Sequence, residues 1–118
     1  MAKLMTKRIE QSLLQHPLSS QDGKGFNAEI AVMFYNSEGP GTWILTEGEK
    51  QENGDWLLFG YCCIWEWEWG YVMLSELEEL EFPIKEFKDA AGRKVNEDIY
   101  LVGVDALTEA VQDITEGK

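Results

Sequence analysis

The run Trp65-Glu66-Trp67-Glu68-Trp69 gathers three indoles and two carboxylates within five residues. Read as a β-strand, its side chains alternate. Trp65, Trp67 and Trp69 then share one face, and Glu66 and Glu68 share the other. The expected arrangement is a half-buried strand, with indoles on the core and glutamates in water. The alternative is an indole platform in an open groove, since aromatic rings bind sugars, bases or peptide side chains. Carboxylates two residues apart on a strand stand roughly 6.6–6.8 Å from each other, which grazes the ~6.5–9.5 Å separation of inverting glycosidases. On a regular strand, however, the indoles that would hold a sugar face away from the acids. No catalytic residue is assigned, and the chain is read as a binding protein rather than an enzyme.

These two glutamates belong to a larger set. Glu47, Glu49, Glu52, Asp55, Glu66, Glu68, Glu76, Glu78, Glu79 and Glu81 are opposed between positions 47 and 81 by Lys50 alone. If the strands and the following helix present these acids on one face, they form a negative patch that steers basic partners. Glu66, Glu68, Glu76, Glu78 and Glu79 are the candidate partner-binding residues. Trp65, Trp67 and Trp69 are the ligand-binding candidates under the alternative. Alternate carboxylates on a strand repeat at about twice the ~3.4 Å rise of a DNA strand, which is compatible with imitation of a phosphate backbone. Every exposed strand shares that repeat. Glu76 and Glu78 also suit the N-terminus of a helix dipole.

With 118 residues, 44% of them hydrophobic, the chain fits one domain (residues 1–118) able to bury a core without metals or disulfides. Ten basic residues against 22 acidic ones give a net charge of −12. That charge disfavours direct binding to nucleic acid and to anionic membranes. It suits a basic protein, a cation, or solubility alone. The chain has no apolar run of the ~20 residues that span a bilayer. Met1 to Arg8 lacks the features of a signal peptide, so a cytoplasmic protein is expected. Cys62 and Cys63 are adjacent, match no zinc or thioredoxin spacing, and read as reduced, inert thiols. His16 is the sole histidine, with no partner in view for a triad. No metal-binding or phosphate-cradling spacing occurs, so no metal or cofactor is expected.

The elements that must position these residues follow from pattern. Thr6 caps a helix from Lys7 to about Gln15, with Ile9 and Leu13 on one face. His16-Pro17 ends it, and 18–27 is a loop. Four strands follow: 29–36, 42–49, 55–64 and 65–74. Residues 29–36 are apolar on both faces, so both sides of that strand are expected to be covered. Gly39-Pro40-Gly41 and Asn53-Gly54 mark turns, the latter with both central residues at positive φ. Between the third and fourth strands, Gly60 or the Cys62-Cys63 pair is expected to mark a bend or bulge, with a turn near Gly60 as the alternative. Ser75 and Glu78 form a capping box for a short helix to about Leu80, stopped by Pro83. A polar stretch with a turn at Ala91-Gly92 leads to a last strand, 99–104, and a helix from Ala106 to about Thr115. The predicted fold is α+β, an antiparallel meander of four to five strands packed by the N-terminal and C-terminal helices.

Several of these segments resemble one bacterial family, domain of unknown function 2958. The likeness rests on Glu66-x-Glu68-x-Gly70-Tyr71-x-x-Leu74-Ser75-Glu76-Leu77, with Leu4-x-Thr6, Thr42-Trp43, Phe59-Gly60 and Glu97-Asp98-Ile99-Tyr100 around it. It covers roughly residues 4–101, and the helix after Asp105 reads as an extension. The resemblance carries no catalytic residues. It implies carriage on plasmids, phages and other mobile elements. In such a setting small acidic proteins block basic host defence proteins, including CRISPR effectors. The leading expectation is an acidic inhibitor of that kind. The others are a ligand- or peptide-binding module using the tryptophans, and a homodimer closed by an aromatic face.

Overall fold

The computed structural model describes residues 3–95. The chain order is α1 (Lys7–Leu14), a 3-10 turn (Gly25–Asn27), β1 (Val32–Asn36), β2 (Thr42–Lys50), β3 (Trp56–Cys63), β4 (Trp67–Met73), α2 (Leu74–Glu78) and β5 (Ile84–Glu86). The five strands form one antiparallel sheet in the order β4-β3-β2-β1-β5. The described fold is mostly β with short helices. The predicted strand 99–104 and C-terminal helix lie outside the described residues.

Both faces of the centre are covered, as the apolar alternation of β1 requires. Val32 and Phe34 join Leu45, Leu58, Trp43 and Trp56 beneath Ile9 and Leu13 of α1 and Leu74 and Leu77 of α2. Met33 lies on the opposite face with Ile30, Ile44, Ala90 and Val95. Thr6 caps α1 as expected, its Oγ1 accepting from the Ile9 amide at 3.1 Å. The helix seats closely on β2 because Gly48 has no side chain. A Cβ there would lie 2.9 Å from both Leu13 Cδ2 and Leu58 Cδ2.

The register of β2 breaks once. Leu45 opposes Gly60 and Glu47 opposes Phe59, so Thr46 is an extra residue. Such a bulge bends its strand and re-aims the next side chain. Gly60 therefore marks neither the turn nor a bulge in its own strand; it accommodates the bulge of its neighbour. A Cβ at Gly60 would fall 2.0 Å from the Ile44 carbonyl oxygen and 2.6 Å from Leu45 Cα. The turn between β3 and β4 is Ile64-Trp65-Glu66 instead.

Three further expectations are corrected. In the β2–β3 hairpin only Gly54 takes positive φ, at 90°, because a connection longer than two residues spreads the reversal. Helix α2 starts at Leu74, with Met73 at its N-cap, and Glu76 rather than Glu78 reaches back to the Met73 amide at 2.8 Å. Ser75 does not cap it, because Asp55 binds both its amide, at 3.1 Å, and its hydroxyl. A fifth strand, Ile84–Glu86, forms within the stretch read as polar, held to β1 by pairing of Phe34 with Glu86 and Asn36 with Ile84.

The Ser75 hydroxyl bond, with the Trp56 and Ser75 amides, holds the Asp55 carboxyl below its ordinary value despite some opposing desolvation. A carboxyl lowered in the folded state contributes stability above the unfolded value, and loses it as pH falls through the folded one. Asp55→Asn is expected to cost about 1 kcal/mol at pH 7, modest because the group is partly solvated. In urea titrations across pH, the gap between the two proteins should narrow below about pH 4. A pH-independent gap would mean that the Asp55 charge contributes nothing to stability.

Candidate functional site

The turn at 64–66 divides the tryptophan run. β3 ends at Cys63 and β4 begins at Trp67, so Trp65 and Glu66 stand outside the strand alternation. The expectation that all three indoles anchor the core is therefore corrected. Trp65 is 88% exposed, on the tip of the turn. The core indoles are Trp43 and Trp56, 5% and 3% exposed. Trp67 and Trp69 are half-buried at the rim of the second core cluster.

Trp67 and Trp69 belong to a continuous aromatic surface along β3 and β4. Pairing aligns Tyr61 with Trp69 and Phe59 with Tyr71. Tyr61 stacks on Trp67 at 5.1 Å between ring centroids, and Phe59 meets Tyr71 at 4.8 Å. Phe26, from the 3-10 turn, sets its ring against Tyr61 at 5.2 Å and Trp69 at 5.9 Å. Tyr71 remains 67% exposed. Each such contact adds about 0.5–1.5 kcal/mol beyond area burial.

On the other face of β4 lies a groove of about 420 Å³. Trp43 and Cys62 line it together with Trp65, Glu66, Glu68 and Gly70. Glu68 opposes Cys62, and Cys62 opposes Trp43, so these three share one face. Gly70 leaves the groove open, with no atom within 4 Å of where a Cβ would be. An indole and two carboxylates thus meet at one site after all. A regular strand would have kept them apart; the turn swings Trp65 out of register and into the groove wall.

The chemistry available there is recognition. Burial, with the Glu68 carboxylate and Cys63 adding to it, pushes the Cys62 thiol up to about 12. Burial and then Glu66 raise Cys63 as well. Thiols of that kind are protonated at neutral pH and are poor nucleophiles. Among the described residues no group of His, Cys, Asp and Glu could hold a metal ion.

The structure disperses the other acids. Glu47 is 4% exposed and lies under the loop of residues 17–29, where it accepts from the Ser19 amide at 2.7 Å and the Gln21 amide at 3.0 Å. Asp55 and Glu76 are engaged at the start of α2, and Glu78 accepts from the Leu4 amide at 3.0 Å. Glu79, at the C-cap of α2, is exposed. It lies past the far end of β4 from Glu66 and Glu68, which at strand rise is roughly 20 Å away. Of the five candidate glutamates, only Glu66 and Glu68 are brought together on one groove. Sequence reasoning missed Gln21, whose buried side-chain amide donates to the Glu29 and Thr46 carbonyls, each at 2.8 Å, and accepts from the Glu29 amide at 2.7 Å. No motif surrounds it.

Fold and site define a small acidic domain, mostly β, with an aromatic and acidic surface along one sheet edge. The chain belongs to the family described as "Protein of unknown function (DUF2958)", whose pattern matches residues 4–113. That match confirms the resemblance and runs beyond residue 101, into the segment after Asp105. No curated protein and no solved structure matches the chain. No helix among the described residues is long and apolar enough to cross a membrane.

Tryptophan emission separates the indoles. Trp65→Leu should shift the folded protein's emission to the blue and remove most of the acrylamide-quenchable fraction, leaving the denaturation midpoint nearly unchanged. A red shift with a lowered midpoint would instead place Trp65 in the core.

Proposed function

We propose that this protein is a non-catalytic binding protein that docks a basic protein partner on the β3–β4 turn and the groove beside it. One observation carries the reading: Trp65 stands 88% exposed at the tip, with Glu66 and Glu68 on the same groove. An indole held in water forgoes burial worth about 1.5–3 kcal/mol for a large apolar side chain. Tryptophan is also the residue type most enriched among energetic anchors of protein interfaces. The neighbouring carboxylates speed encounter with a basic surface and penalise an acidic one. An arginine entering the groove gains both the acids and the indole face, the latter worth about 0.5–2 kcal/mol.

The partner we propose is a basic nucleic-acid-binding protein of the host, such as a CRISPR effector, blocked on the surface that ordinarily meets phosphates. The setting is a mobile element. Two clustered carboxylates suit local occupation of such a surface better than imitation of an extended duplex, which needs a long regular row of charge.

Affinity capture from host lysate tests this. The tagged protein should retain a basic protein at low salt and lose it at high salt. Glu66→Lys with Glu68→Lys should abolish capture, and Trp65→Ala should weaken it by tenfold or more, about 1.4 kcal/mol. Capture indifferent to salt and to both changes would refute the proposal.

A further inference from the structure

Among the described residues the sheet has two edges, β4 and β5, and they are built differently. β5 is three residues long, follows Pro83 and carries Lys85. Short length, proline and lysine are the usual protections of an edge against further strand pairing. β4 has none of them. It runs for seven residues, Trp67 to Met73, without proline, lysine or arginine, and pairs with β3 residue for residue from Met73 back to Trp67 with no bulge. Among the described residues no strand pairs with its outer side. Every second backbone amide and carbonyl of β4 points outward along that side.

We propose that the outer edge of β4 accepts an extended segment of the partner as a sixth strand, and that this segment alternates basic and apolar residues. This deepens the proposed function and rests on its basic partner. The alternation follows from β4 itself. A strand added to an edge places its side chains beside those of the residues it opposes, on the same faces. On one face stand Trp67, Trp69 and Tyr71, which suit apolar or aromatic neighbours. On the other stand Glu68, the gap left by Gly70, and the groove walled by Trp65 and Glu66, which suit a long cationic side chain. Gly70 provides the room: its missing Cβ leaves open space where the stem of an arginine or lysine would lie.

A second copy of the chain fits this edge poorly. An antiparallel β4–β4 pair centred on Gly70 would oppose Glu68 to Val72 and hold two chains of net charge −12 together. A cationic segment reverses that repulsion into attraction, and charge decides between the two occupants.

The probe is a blocked synthetic peptide of alternating arginine and valine, as long as β4, added to the full chain. Two controls carry methyl groups on alternate backbone nitrogens, one set on the arginines and one on the valines. All three have the same charge. In an added strand only one of the two sets faces β4. The parent peptide should bind, slow amide hydrogen exchange in β4, and lose about tenfold in affinity in one methylated form but not in the other. Glu68→Lys should weaken the parent by a similar factor. Equal binding of all three peptides would overturn strand addition while leaving an acidic and aromatic docking surface in place. Two other results would overturn it outright: absence of parent binding, and β4 amides already protected in the chain alone, whether by its own residues or by a second copy. Failure of the underlying reading shows separately, as loss of salt-sensitive capture from lysate.

Discussion

One break of register, at Thr46, determines what the aromatic face can be. Without it Glu47 would fall on the same face as Leu45, among the apolar residues under α1. The bulge turns Glu47 to the other side, where its carboxylate holds the Ser19 and Gln21 amides. Hydrogen bonds to a charged group are worth about 1.5–3 kcal/mol each, and more is lost when a buried partner is left unmade. Gln21 ties the same loop to Thr46 and Glu29. The loop so fixed carries Phe26 onto Tyr61 and Trp69, and helps to half-bury the Trp69 indole. Gly60 is the condition for all of it, since any side chain there would collide with the β2 backbone.

The consequence is a division of labour among residues of one type. Trp43 and Trp56 hold the core, Trp67 and Trp69 build a supported aromatic wall, and Trp65 alone is held out in water. The acids divide in the same way. Glu47, Asp55, Glu76 and Glu78 satisfy backbone amides, while Glu66 and Glu68 face a groove. Net charge therefore overstates the acidic surface available to a partner, and the location of the two groove carboxylates matters more than the total.

Much of the scaffold was legible. The Thr6 cap, the α1 stripe of Ile9 and Leu13, the two-sided apolar pattern of β1 and four of the five strands follow from local chemistry. The 64–66 turn was not, because Ile-Trp-Glu contains no glycine, proline, asparagine or aspartate to announce a reversal. Strand alternation was therefore carried one turn too far and set the indoles against the acids. The bulge left no local mark either; its signal, Gly60, sits on the neighbouring strand. β5 is too short to show a period, and Asp55 displaced Ser75 from its capping role through a contact 20 residues away in sequence. Each miss is a case of tertiary contact overriding a local preference.

We propose the β3–β4 turn and its groove as the place where this protein meets its partner. Site-specific photo-crosslinking in host cells reads that directly. A benzoylphenylalanine placed at Trp65 or Tyr71, both exposed, should trap one basic protein; the same probe at Glu79, also exposed but past the far end of β4, should not. Crosslinks that form from Glu79 and not from Trp65 or Tyr71 would move the partner's binding surface away from the β3–β4 turn.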